Sequence, residues 1–373
     1  MINLKGAVLN SKLGLEKTII SLIEKGLNKS VFDAVMIPMR VPSGDAYAYV
    51  LVQDKSILGD ASILPPVMFI QGGKAASSIT RLGKLKMKIA AFMRPCEVRA
   101  TIELAKLGQV DLENIVIFSM DCPGVMPSGN FIKDPDKNIK IFNEAVKKFD
   151  DKLMRPLCQI CDKSSLISGD IHIGTLGAKE DTFFFISNSE KGDELANSLN
   201  INLKDNIDNW KKEVKILSDE KLKKRRIEHN KLKTKVGGID NLVDTFSSCI
   251  NCHNCMKVCP VCICRLCYFD SDKVKNTAED YLDRAKIKGS IRFLPDTALF
   301  QIGRMMHMSI SCVSCGSCED ACSMSIPVGQ IFSMIADETQ GLFDYVSGEK
   351  RDEPIPIVAY KENELNEVED SND

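Results

Sequence analysis

Nineteen residues, Cys249–Cys267, read CINCHNCMKVCPVCICRLC and hold seven of the chain's 15 cysteines. Cys249, Cys252, Cys255 and Cys259, with Pro260 after them, form C-x2-C-x2-C-x3-C-P, and Cys312, Cys315, Cys318 and Cys322 repeat the spacing. Three thiolates two residues apart wrap one face of an iron–sulfur cubane, and the fourth falls to a neighbouring cubane. The two runs therefore predict two [4Fe–4S] clusters with crossed fourth ligands. Cys322 joins Cys249, Cys252 and Cys255, while Cys259 joins Cys312, Cys315 and Cys318. Zinc needs only paired C-x2-C and has no use for this phase. In the second run Ser323-Met324-Ser325-Ile326 intervenes before Pro327, which bears on the turn and not on the ligands. Cys262, Cys264 and Cys267 remain, one thiol short of a closed set. They are read as unmetallated thiols packing near the cluster, with recruitment of an outside ligand, or exchange of Cys262 for Cys259, as the alternatives.

Four further cysteines are dispersed. Cys96 stands in RPCE, just past the apolar run Leu85–Met93, and Cys122 in DCPG, just past Asn114–Met120. Both runs have the profile of buried strands, so both thiols fall at strand ends, the edge where α/β sheets bind ligands. Cys158 and Cys161 form a C-x2-C in RPLCQICDKS. The four make a candidate cage; a redox-active dithiol at Cys158 and Cys161, or unconnected buried thiols, are the alternatives. Gly72, Gly73 and Lys74, after the apolar VMFI, are the nearest glycine pair able to approach a phosphate, a weak signal by itself. Met305, Met306, His307 and Met308 suggest haem or copper ligands but more simply pack a helix. His172 and His253 are read as structural or exposed.

These residues need elements to position them. Leu15–Leu27 has helical periodicity, while Phe32–Val41 and Ala46–Val52 read as strands. Leu85–Met93, the helical Glu97–Leu107 and Asn114–Met120 make a βαβ unit with parallel strands. Asp170–Gly177 and Asp181–Ser189 are further strand candidates. From Lys204 to Lys235 twelve Lys and Arg face six Asp and Glu, a solvated linker helix or, alternatively, a basic docking surface. Gly237-Gly238 ends it. The expected organisation is an α/β domain over residues 1–200, a basic linker helix over 201–240, a small α+β dicluster ferredoxin-type domain over 241–345, and a disordered acidic tail over 346–373.

The chain has 373 residues, enough for two or three domains, and a net charge of −2, which argues against a general nucleic-acid binder. No apolar stretch approaches a membrane span, and the N-terminal region has no signal-peptide core. The expectation is a reducing cytoplasm, where clustered cysteines mean metal or redox chemistry.

The ordered set RPCE, DCPG and C-x2-C-D followed by DIHIGTLG resembles the beta subunits of deazaflavin-reducing hydrogenases and formate dehydrogenases, most nearly the latter. The resemblance takes in CINCHNCMKVCPVCICRLC, FQIGRMMHMSISCVSCGSCEDAC and IPVGQIF. It implies an N-terminal α/β domain that binds FAD beside one [4Fe–4S] cluster, with Cys96, Cys122, Cys158 and Cys161 as the ligands of that third cluster. It also implies an appended ferredoxin-type domain passing electrons to or from a catalytic subunit. The Gly-rich ECGGAVT-like segment of deazaflavin-using members has no counterpart in LGLEKTIISLIEKG, which puts coenzyme F420 in question. The expected function is electron relay between a formate dehydrogenase alpha subunit and a flavin, F420 or a heterodisulfide-reductase-type partner. The rivals are a [NiFe] hydrogenase beta subunit and a non-catalytic adaptor. No residue is equipped to oxidise formate, and no catalytic residue is assigned.

Overall fold

The computed structural model describes residues 4–291, 294 and 296–359. Seven strands, β1 (Lys5–Asn10), β2 (Ala34–Arg40), β3 (Tyr47–Val52), β4 (Ile89–Phe92), β5 (Ile115–Met120), β6 (Ile171–Gly174) and β7 (Thr182–Ser187), form one sheet in the order β1-β7-β6-β5-β4-β2-β3. The central four, β2, β4, β5 and β6, are parallel, while β3 and β7 pair antiparallel at the two sides and β1 closes the far edge antiparallel to β7. Helices α1 (Leu15–Asn28), α2 (Gly72–Ile79), α3 (Pro95–Lys106), α4 (Ser128–Phe131), α5 (Pro135–Lys148), α6 (Pro156–Gln159) and α7 (Glu190–Ser198) connect the strands.

The sheet is apolar on both faces, as parallel strands buried between helices require. Alternation along β2 sends Val35 and Ile37 to one face with Ile19 and Ile23 of α1. Ala34 and Met36 go to the other, with Ala76 of α2 and Val98 and Ile102 of α3. On the first face Phe92 and Phe118, neighbours on β4 and β5, stack with ring centroids 4.5 Å apart. The βαβ unit expected from the sequence is β4–α3–β5, with Ala91 paired to Ile117 in parallel register. Strand β1 was not read from the sequence. It is a short edge strand containing Gly6, with Val8 turned to solvent, so neither alternation nor a long apolar run announced it.

The basic stretch is one helix, α8 (Asp208–Val236), roughly 44 Å long at the α-helical rise. It does not stand free. Trp210, Arg225, His229 and Val236 are buried along it. Beyond it lie α9 (Ile239–Phe246), α10 (Asn254–Lys257), α11 (Ala278–Lys288), α12 (Thr297–Met308), α13 (Ser317–Asp320) and α14 (Val328–Gly341). An α+β ferredoxin-type domain was expected over 241–345, but no strand occurs among the described residues there. The thiol loops and four helices wrap a core of Phe246, Met256, Phe300, Ile331 and Phe332 instead.

The expectation of disorder from residue 346 is not met over 346–359. Ser347 and Ile355 are buried, and Gly348 N donates to the buried Glu103 carboxylate at 2.6 Å. The satisfied polar contacts, and not composition, hold this segment. The acidic run Lys361–Asp373 lies outside the described residues.

Candidate functional site

Cys96 and Cys122 stand at the carboxyl ends of β4 and β5, and the turn before α3 and the loop after β5 aim both into one cavity. That cavity is lined by Cys96, Cys122, Cys158 and Cys161, together with Arg94, Gly124, Ser314 and Cys315. All four dispersed thiols thus meet, and a fifth, from the second run, joins them. Several local choices fix the geometry. Glu97 on the first turn of α3 accepts from Arg94 N at 2.9 Å and Gly72 N at 2.8 Å, which pins the turn carrying Cys96. Cys122 N donates to Ser164 O at 3.0 Å, and Arg94 Nη1 reaches Cys122 Sγ at 3.2 Å. Gly124 has φ +130°, and a Cβ on it would stand 2.5 Å from Cys158 Cβ. The glycine of DCPG is what lets the C-x2-C segment approach.

Burial pushes the Cys96 thiol well above its ordinary range, with Glu97, Cys315, Cys122 and Cys161 adding to it. Burial also pushes Cys158 up to about 12, against the pull of Arg155, and raises Cys161. Neutral thiols crowded this way become good ligands when a cationic centre joins them, because the centre's charge reverses the local preference.

The structure brings three thiols of the first run together with one of the second. Cys249, Cys252 and Cys255 line one cavity with Cys322 from the other run, flanked by His253, Phe300 and Gln301. Arg304 Nη1 lies 3.0 Å from Cys255 Sγ, and His253 stacks on Phe300 at 4.1 Å between centroids. Burial raises Cys255 to about 11, with Arg304 opposing and Cys249, Cys322 and Cys252 adding. Cys259, Cys312 and Cys318 pack against the same apolar core as the first run, while Cys315 lines the cavity of the dispersed four. Burial, then the nearness of Cys259 and Cys315, raises Cys312 to about 12 and lifts Cys318 well up.

Both runs share a backbone that only the repeat explains. The second and fourth residues after the first cysteine are left-handed in each: Asn251 and His253 at φ 55° and 58°, Ser314 and Gly316 at φ 57° and 75°. A short helix, α10 or α13, follows each loop. Such alternation turns successive N–H groups inward, forming the concave anion nest found at iron–sulfur sites.

Cys262 and Cys267 are half-buried and Cys264 is exposed. Burial raises Cys262 to about 11, with Cys259 the next contributor. Among the described residues no three His, Cys, Asp or Glu side chains close on a point as round a single metal ion; the thiols line small cavities instead. The fit to clusters is supported by orphaned donors. Arg155 Nε and Nη1 and Arg304 Nε are buried without a hydrogen-bond partner, next to Cys158 and Cys255 respectively. Sulfides and thiolates are acceptors that would satisfy them.

The phosphate reading of Gly72, Gly73 and Lys74 does not hold. Gly72 N is taken by Glu97 and Gly73 N by Gln71 Oε1 at 2.6 Å. A Cβ on Gly73 would lie 3.0 Å from Thr101 N and 3.1 Å from Ala100 Cβ. The glycines let α2 pack against α3. Lys74 Nζ donates to Lys257 O. One side of the basic helix is committed: Arg225 grips Asp337 and Ser333, His229 Nδ1 lies 3.0 Å from Asp337, and Lys221 pairs with Asp151, while Lys223, Lys224 and Arg226 are exposed.

Sequence reasoning missed two features. Asp121, next to Cys122, is fully buried and bound by His172 Nε2 at 2.9 Å, Trp210 Nε1 at 3.0 Å and the amides of Thr175 and Leu176. Ser119 Oγ holds the other ring nitrogen of His172 at 2.7 Å. The chain's one Trp and the Asp of DCPG were the available signals. The second is a cleft of about 810 Å³ under Ser164–Gly169, walled by Trp210, Val214 and Glu349–Glu353. It touches the four-thiol cavity at Ser164. Ser165 Oγ, Ser168 Oγ and Arg351 Nη2 in its lining are buried and unpartnered. Among the described residues no helix is long and apolar enough to cross a membrane.

No family model matches the chain. It is 27% identical to the F420-dependent formate dehydrogenase subunit beta of Methanocaldococcus jannaschii, over 72% of this chain and 77% of the relative. It is 29% identical to the F420-dependent formate dehydrogenase 1 subunit beta of Methanococcus maripaludis, over 88% of this chain and 90% of the relative. Among solved structures, a chain of the F420-reducing [NiFe] hydrogenase complex from Methanosarcina barkeri superposes with a TM-score of 0.43 at 13% identity. That match covers 64% of this chain and 94% of the other, a likeness too distant to carry an argument. Along most of its length the chain is thus similar to two formate dehydrogenase beta subunits, the kind of protein that its motifs resemble.

Proposed function

We propose that the chain is the electron-transferring subunit of a formate-oxidising complex and holds three [4Fe–4S] clusters. One observation carries the reading: thiols scattered from residue 96 to residue 322 come together, Cys249, Cys252, Cys255 and Cys322 in one cavity and Cys96, Cys122, Cys158 and Cys161, with Cys315 beside them, in another. Bound there, the clusters take up and release single electrons. The chain's own residues do the rest. Cys96, Cys122, Cys158 and Cys161 hold one group, Cys249, Cys252, Cys255 and Cys322 a second, and Cys259, Cys312, Cys315 and Cys318 the third. Arg94, Arg155 and Arg304 set positive charge beside them, and the apolar walls keep water away.

A flavin, implied by the resemblance, has room in the cleft that meets the four-thiol cavity at Ser164. Its hydroxyls and phosphates would satisfy Ser165, Ser168 and Arg351; Gly72, Gly73 and Lys74 would have no part. The formate-oxidising centre belongs to a catalytic partner, as the names of the two relatives, beta subunits both, suggest. A cytoplasmic location goes with free thiols in such number.

The test is to assay viologen-linked formate oxidation for this chain and a catalytic subunit apart, and then bleaching of the visible absorption of this chain in the mixture. No turnover by this chain alone and reduction in the mixture are expected. Turnover by this chain alone overturns the reading, and reduction by a hydrogenase but not by a formate dehydrogenase favours the hydrogenase rival. Retained FAD or FMN after anaerobic purification, lost in Arg351→Ala, tests the cleft.

A further inference from the structure

We infer that the group of Cys259, Cys312, Cys315 and Cys318 is the middle of the three, and that Arg99, Arg155 and Arg225 are positioning residues that hold it there; the inference rests on the cluster reading above. Cys315 and its neighbour Ser314 line the same cavity as Cys96, Cys122, Cys158 and Cys161. The cavity of the first run shares no lining residue with that of the dispersed four. It adjoins the middle group instead: Cys259, Cys312 and Cys318 pack against the same apolar core as Cys249, Cys255 and Cys322. Its Cys252 is exposed. The order is therefore dispersed four, second run, first run, with the outward end at Cys252.

The loop of the second run is clamped in this place from three separate elements. Arg99 of α3 donates to Val313 O at 3.2 Å, and Arg225 of α8 to Ser314 Oγ at 2.9 Å. Arg155, just before α6, donates to Asp320 Oδ2 at 2.7 Å. All three are buried, 3% to 4% exposed. A guanidinium taken out of water is costly unless each is paired, so three of them converging on residues 313, 314 and 320 specify where Cys315 stands. Electrons pass along such an order singly, oxidation of one group being the reduction of its neighbour, with no bond made or broken.

The experiment is electron paramagnetic resonance of the anaerobically prepared full chain reduced with dithionite, in which neighbouring reduced clusters split or broaden each other's signals. Cys161→Ser and Cys252→Ser, which disturb an end group, should each leave one interacting pair. Cys312→Ser, which disturbs the middle group, should leave signals that no longer interact. Interaction surviving in Cys312→Ser, or vanishing in Cys252→Ser, overturns the order. Arg99→Ala should keep iron content and weaken the interaction between the dispersed and middle groups, with Arg99→Lys restoring it. Unchanged interaction in Arg99→Ala overturns the clamp. A full chain without iron would overturn the cluster reading itself, whereas iron with another coupling order overturns only this inference.

Discussion

Gly124 and Asp337 show how single residues set the site. Gly124 has φ +130° and lies against Cys158 and Met154, a conformation and a space that no side chain fits. Gly124→Ala should remove about four of about twelve irons while the two runs keep theirs, given four irons per cluster; iron analysis of the folded variant checks it. Asp337 is held well below the usual carboxylate range: burial opposes this, but the hydrogen bonds and charges of His229 and Arg225 prevail. A carboxyl with a depressed folded pKa contributes stability that is present above its unfolded pKa, about 3.9, and is lost as pH falls through the folded value. Unfolding by urea should therefore ease as pH drops below about 4, and Asp337→Asn should flatten that dependence. The same substitution leaves the buried Arg225 short of its partner, at a cost of about 1–3 kcal/mol at neutral pH, read from the urea midpoint.

At the scale of elements, α2 and α3 make the clearest case for packing over ligand binding. Gly73→Ala should destabilise the chain by about 1–3 kcal/mol through overpacking against Ala100 and Thr101, measured by urea unfolding, without changing any retained flavin. Loss of flavin at unchanged stability would restore the phosphate reading. This is also where sequence legibility divides. Strands β2, β4 and β5 and helices α1 and α3 were readable because runs such as IAAF and NIVIFSM and the spacing of LEKTIISLIEKGL carry their own period. Cysteine spacing pointed to the meeting of Cys322 with Cys249, Cys252 and Cys255 in one cavity, and the left-handed positions after Cys249 and Cys312 repeat in both loops. The Gly72-Gly73 pair misled because a glycine at a helix crossing and a glycine at a phosphate look alike in one dimension. Asp121, His172 and Trp210 come from three distant segments, so no local pattern could announce their meeting. The segment 346–359 looked like a tail by composition, yet Gly348 N and Ser347 O, backbone groups that composition does not record, meet Glu103 and Arg99.

For the whole molecule, α8 and the three buried arginines tie the sheet to the thiol loops, so the two halves of the chain should respond together to loss of the clamp. The unread trio is a useful control. Cys262, Cys264 and Cys267 replaced together by Ser should leave iron unchanged, because Cys264 is exposed and the other two are half-buried thiols packed against the core of the loops. A loss of about four irons, one cluster's worth, would show that they complete a site of their own.

The central claim is that three groups of four thiols hold three clusters, and iron with acid-labile sulfide per chain tests it most directly. Anaerobically purified full chain should carry about twelve irons and about twelve sulfides, falling to about eight of each in Cys158→Ser. About eight irons in the unaltered chain, unchanged by Cys158→Ser, would contradict the account, because the dispersed four would then hold no cluster.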